Sequence, residues 1–146
     1  MIGIRSNVTV TVREAKTGRV VFTYQTHNKV VNDGLDQVRD LLGNFVLAPT
    51  HIAVGTGVTV PTASDSVLDT EVFRNVITAR DPDPQKITFQ LFLDTVDANG
   101  NTLSEAGIFN AAASGVMFSR VLISPVIIKT ALVTATLTFE YTISEG

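Results

Sequence analysis

The chain has 146 residues and a mass of 15.7 kDa, enough for one core and too little for two ordinary domains. It has no cysteine, which excludes disulfide scaffolds, Cys-ligated zinc, iron–sulfur centres and thiol catalysis. With 11 basic and 14 acidic residues, a net charge of −3 and a pI of about 5.2, most of the surface would repel a phosphate backbone, so nucleic acid is not an expected partner.

Valine, isoleucine and threonine are stiff at χ1 and suit a pleated surface better than a helix. They account for 49 of the 146 residues, so the expected fold is mainly β: antiparallel sheets in a β-sandwich or jelly-roll-like arrangement, spanning 1–146 as one domain. Only 17% of residues are charged against 45% hydrophobic. That leaves little charged surface to disperse a monomer, and it points to contact with further subunits.

Met1–Asn7 carries no apolar stretch behind its single arginine, and no run reaches the ~18 residues of a bilayer span. The expectation is therefore a chain made soluble in the cytoplasm, with no membrane partner. Ile2, Ile4 and Arg5 belong either to an N-terminal arm of residues 1–7 that orders on a neighbour, or to an extension of the first strand. Val8, Val10 and Val12 alternate with threonines, Lys16-Thr17-Gly18-Arg19 offers a glycine where a turn wants positive φ, and Val20, Phe22 and Tyr24 resume the alternation. A hairpin is predicted.

One short helix is expected over about 33–42, capped by Asn32 and favoured by Asp33 at its start. Its apolar stripe would be Leu35, Val38, Leu41 and Leu42, and Gly43 would stand in the left-handed region at its end. Gly34 weakens the helix by up to ~1 kcal/mol relative to alanine, which leaves packing to hold it. His51 to Val54 reads as a short buried strand, followed by Gly55-Thr56-Gly57 and a loop to Ser66. Ser64 or Asp65 is expected to cap a helical turn through Leu68 and Val72.

Arg74 to Ala79 should return to strand and break at Asp81-Pro82-Asp83-Pro84, because two prolines so close disfavour regular structure. Ile87, Phe89, Leu91 and Leu93 share a face, and the turn Asp97-Ala98-Asn99-Gly100 should send the strand back through Thr102 and Leu103. A further strand, Val116 to Ile123, is expected to end at Pro125. The last segment alternates Val133, Ala135, Leu137, Phe139, Tyr141 and Ile143 with four threonines and Glu140, and its length puts it at the centre of a sheet.

Chemistry-bearing constellations are sparse. His27 and His51 have no metal-ligand spacing. Asp97, Asn99 and Asn101 match the first three positions of a calcium loop, but Thr102 replaces its glycine and Ile108 its bidentate carboxylate. Gly55-Thr56-Gly57 lacks the rest of a dinucleotide or phosphate-loop fingerprint, and Ser114 and Ser119 lack a nucleophile-elbow setting. Asp81 and Asp83 sit exposed between prolines. Glu105 stands among small and apolar neighbours. Buried, it would need a guanidinium partner, either Arg74 or Arg120, in a structural ion pair. No enzymatic activity and no metal or cofactor is expected.

Several ordered pieces resemble tailed-bacteriophage virion proteins of the tail-fibre and tail-collar type. They are Asn28–Gly34 running into Leu41-Leu42-Gly43, Ala53–Gly57, Ser64–Leu68 with Glu71 and Arg74, Ser104–Phe109, Ser124–Thr130 and the closing strand. The resemblance implies a non-enzymatic structural subunit of a virion: a capsid decoration or cement protein, or a collar, baseplate or tail accessory piece. Its partners would be copies of itself, with a trimer among the candidates, and other virion proteins. A threonine-rich strand face suits that role, since hydroxyls are soluble when free and pair readily when docked. The alternative reading is a carbohydrate-binding β-sandwich for host attachment, but tryptophan is absent and both tyrosines, Tyr24 and Tyr141, lie on core-type faces.

Overall fold

A computed structural model describes residues 2–43 and 48–145. Among the described residues the β-branched content is spent on ten strands in two antiparallel sheets packed face to face as a β-sandwich, with one helix. The first sheet contains β1 (Ile2–Glu14), β2 (Val20–His27), β6 (Ala79–Asp83), β7 (Lys86–Leu93) and β10 (Val133–Glu145), in the order β2-β1-β10-β7-β6. The second contains β3 (Lys29–Val30), β4 (His51–Gly55), β5 (Glu71–Val76), β8 (Asn101–Phe109) and β9 (Met117–Lys129), in the order β3-β9-β8-β4-β5. Helix α1 runs over Asn32–Leu42.

The long alternating segments behave as their period demands. Val8, Val10, Val12, Leu91, Leu93, Ala135, Leu137 and Phe139 are buried in one core with Ile52, Leu103, Val121 and Ile127 of the opposite sheet. β10 is the central strand of its sheet, paired with β1 from Ile4↔Ile143 to Glu14↔Val133 and with β7 on its other side. Gly18 closes the β1–β2 turn at φ 74°.

The second sheet is less regular. From Leu103 to Phe109 every residue of β8 is buried, because the inner face meets the core while the outer face is covered by the 56–70 loop. A satellite cluster of Val31, Ala53, Leu68, Phe109 and Met117 fills that outer layer.

Seven local expectations are corrected. Asn32 is the first helical residue and makes no side-chain cap; Val31 holds the cap position, and Gly43 ends the helix at φ −85°, not in the left-handed region. The helix also presents a different face: Gly34 and Gln37 are buried, while Leu35 is 50% and Leu42 87% exposed. A Cβ on Gly34 would lie 2.1 Å from the Phe118 carbonyl oxygen, so glycine is there to let the helix touch the β9 backbone. No helical turn forms over Ser64–Val72; Asp65 instead binds Thr62 and Arg120, and Glu71 opens β5.

Strand β6 runs through Asp81, Pro82 and Asp83 because it is a sheet edge, where proline's missing N–H costs no ladder bond. β7 does not turn back on itself at Asp97–Gly100; the chain crosses there to the other sheet, where β8 pairs with β4 and β9. β9 likewise continues past Pro125 to Lys129, with the register slipping between Leu103 and Glu105 of β8 to absorb the extra residues.

Candidate functional site: a pinned loop and its buried ion cluster

Glu105 and Arg120 lie on neighbouring strands two positions out of register, with Gly107 opposite Arg120 and Leu122 opposite Glu105. Their side chains therefore meet diagonally on the outer face of the sheet. Glu105 is 0% and Arg120 1% exposed. Arg120 donates from Nε (3.1 Å) and Nη2 (2.9 Å) to Oε2 of Glu105, from Nη1 to Asp65 (3.1 Å), and from Nη2 to Asp69 (3.1 Å). One guanidinium is thus ringed by three carboxylates.

The excess negative charge is met by backbone donors. The N–H groups of Gly57 (3.1 Å) and Thr70 (2.7 Å) donate to Oε1 of Glu105, and that of Asp69 donates to Oε2 (3.0 Å). All three belong to the 56–70 loop, so the ion cluster nails both ends of the loop to the sheet. The glycines of Gly55-Thr56-Gly57 make this possible: a Cβ at either position would fall 2.6 Å from the Glu105 carboxylate. Burial pushes the Asp65 carboxyl up, but hydrogen bonds from Thr62 and Arg120 outweigh it and hold it below its ordinary value. Asp69 is likewise lowered, chiefly by its hydrogen bond from Thr59 and then by the Arg120 charge.

The fixed loop shows valines to water. Val58 is 76%, Val60 69% and Val67 66% exposed. An apolar segment held rigidly outward has already lost much of the conformational freedom that docking would otherwise remove, which is how a contact surface is pre-organised.

Of the two arginines considered for Glu105, Arg120 is its partner and Arg74 is not. Arg74 pairs with Glu71 (2.6 Å), donates to the carbonyls of Ala111 (3.0 Å) and Ser114 (2.8 Å), and lies 3.8 Å over the Phe109 ring, clamping the 110–116 turn to β5. Ile4 and Arg5 are in β1, paired with Ile143 and Thr142, and the backbone of Ile2 pairs with Glu145. Residues 2–7 are thus an extension of the first strand rather than a free arm, while Met1 lies outside the described residues. Ile4 packs against the core and Arg5 is exposed.

The remaining candidates separate. His27 is exposed at the end of β2, and His51 Nδ1 lies 2.7 Å from the Thr50 hydroxyl. Ser119 is buried with Tyr141, Asn28 and Ser6 in a polar cluster joining the sheets. The turn with calcium-like spacing holds a cation of its own: Lys129 Nζ donates to Asn99 Oδ1 (2.8 Å) and the Thr130 carbonyl (3.0 Å). Burial lowers the Lys129 pKa, against the opposing pull of Asp97 and Asp94. Among the described residues no three His, Asp or Glu side chains are arranged to hold a metal ion. Tyr141 is buried, and Tyr24, which donates to the Pro125 carbonyl, has its hydroxyl pushed up to about 12 by burial.

A second apolar feature is a cavity of about 290 Å³ between α1 and one end of the sandwich, lined by Ile4, Val38, Leu41, Leu42, Phe118 and Ile143 among others. Val38, Leu41 and Leu42 of the helix stripe form one of its walls. The chain matches no protein-family model, no curated protein and no solved structure.

Asp65, Asp69 and the two glycines were not singled out from sequence as partners of Glu105. They lie in the 55–69 stretch, and only the fold lays that stretch against Glu105 on β8 and Arg120 on β9.

Proposed function

We propose that this chain is a non-enzymatic structural subunit of a tailed-phage particle, acting by protein–protein assembly as a capsid decoration or cement protein or as a collar, baseplate or tail accessory piece. The observation that carries the reading is the 56–70 loop: a buried Glu105–Arg120 pair, two aspartates and two glycines all serve to hold exposed valines in one place. A fixed apolar projection is costly for a free monomer's solubility and useful for a subunit that docks. The pieces that carry the resemblance support it further, since Gly55, Gly57, Asp65 and Glu105 come from three of them and meet in this one cluster.

The role is tested by purifying particles of the phage that encodes the chain, quantifying it by mass spectrometry and locating it by electron cryomicroscopy. The expected result is a fixed stoichiometry at a symmetric position. Replacing Val58, Val60 and Val67 together by aspartate should leave the fold intact, because all three are exposed, yet reduce incorporation. Particles devoid of the chain would overturn the reading.

A further inference from the structure

Edge strands expose unpaired N–H and C=O groups, and proteins that stay monomeric protect them with charges, proline, bulges or short length. Most open edges here are protected in one of these ways. β3 has two residues, β5 carries Glu71 and Arg74, and β6 packs Arg80, Asp81, Pro82 and Asp83 into five residues. The stretch of β9 beyond its pairing with β3 is interrupted by Pro125 and the register slip. β2 is different: eight residues, Val-Val-Phe-Thr-Tyr-Gln-Thr-His, with no proline, lysine, arginine or carboxylate. A bulge opposite Arg13 disturbs only its turn-proximal end, leaving 22–27 in regular register.

The direction of its free groups can be read from the ladder. Asn28 donates its N–H to the Ser6 carbonyl at 3.2 Å, continuing the β1–β2 register. Antiparallel pairs alternate between exchanging hydrogen bonds and not. Phe22, Tyr24 and Thr26 therefore bond to β1, while Thr23, Gln25 and His27 direct their N–H and C=O groups away from the sheet. Among the described residues none of these three amides has another partner. All three side chains are exposed on the polar outer face.

We propose that β2 is a homotypic edge, pairing antiparallel with β2 of a second copy about a two-fold axis at Gln25 and joining two five-stranded sheets into one of ten strands. A second copy is the occupant because the edge is self-complementary. With Gln25 on the axis, Thr23 of each chain faces His27 of the other, all three outward residues are used, and about six backbone hydrogen bonds form. The two Gln25 amides meet and can exchange hydrogen bonds, and Tyr24 stands beside the partner's Thr26. The inference rests on the assembly reading, in that it names one contact by which copies join.

The test is a charge swap read by sedimentation velocity and native mass spectrometry on the full chain. Wild type is expected to dimerise. The double variant Thr23→Lys/His27→Lys places like charges directly opposite twice and should weaken the dimer about tenfold or more. Thr23→Lys/His27→Glu makes the same contacts oppositely charged and should dimerise at least as well as wild type. Both variants lose the same Thr23–Thr11 surface contact, so the second serves as a folding control. Gln25→Lys, which meets its own copy on the axis, is a further variant and should also weaken the dimer.

A monomeric wild type, or two double variants of equal affinity, would overturn the proposal. A dimer that obeys the swap while particles contain none of the chain removes the virion role and keeps the edge. Particles that contain the chain while its self-association ignores the swap do the reverse.

Discussion

The two sheets of this sandwich reach stability by different means. In the sheet of β1, β10 and β7, buried apolar residues alternate with half-buried, mostly polar ones over long uninterrupted ladders, and area removed from water supplies the stability. In the sheet of β8 and β9 the strands slip register, a salt bridge is buried on the outer face, and backbone amides of a distant loop satisfy its carboxylate. The first arrangement tolerates variation wherever a side chain faces solvent. The second works only when all its parts are present, because each buried charge left without its partner is severely penalised.

That contrast can be broken most sharply at Arg120. Arg120→Met leaves Glu105 buried with Asp65 and Asp69 nearby and no cation between them, and should cost about 3–5 kcal/mol in urea unfolding. The same change should make the 56–70 loop the first site of limited proteolysis. A loss under 1 kcal/mol with an intact loop would mean that the cluster does not hold the loop. In the other sheet, Leu137→Ala deletes a fully buried side chain and should cost about 2–5 kcal/mol. It should do so without selective cleavage of the loop, since nothing in the ion cluster touches it.

Acid titration separates the two sheets more gently. Asp65 and Asp69 have folded pKa values below their ordinary ones, so their contribution is present in full above the unfolded carboxylate value of about 4 and is lost as pH falls through that value and below. Protease sensitivity of the loop should therefore rise in that range before the sandwich unfolds, and Asp65→Asn should flatten the response. A loop that stays protected until global unfolding would remove the aspartates from its anchoring.

Where local period and global packing agree, as in Val8–Val12, Ile87–Leu93 and the closing strand, the elements were readable from spacing. Glu105 was recognisable as a buried acid needing a guanidinium because its neighbours are small and apolar. Its partner was not, since Arg74 and Arg120 are equal candidates in sequence and only the β8–β9 register places Arg120 on the same face. The helix misled for a related reason. Its leucines form a proper stripe, yet a backbone-to-backbone contact at Gly34 fixed the rotation and left Leu35 and Leu42 outside.

Composition and alternation were enough to establish a mainly β protein with a central C-terminal strand, because side-chain periodicity and β-branching are properties of the chain read a few residues at a time. The pairing of Glu105 with Arg120, the strands that run on through Pro82 and Pro125, the crossing from β7 to β8 and the open edge at β2 belong to the folded molecule. Each depends on which strand lies beside which, and that is settled by contacts between segments tens of residues apart.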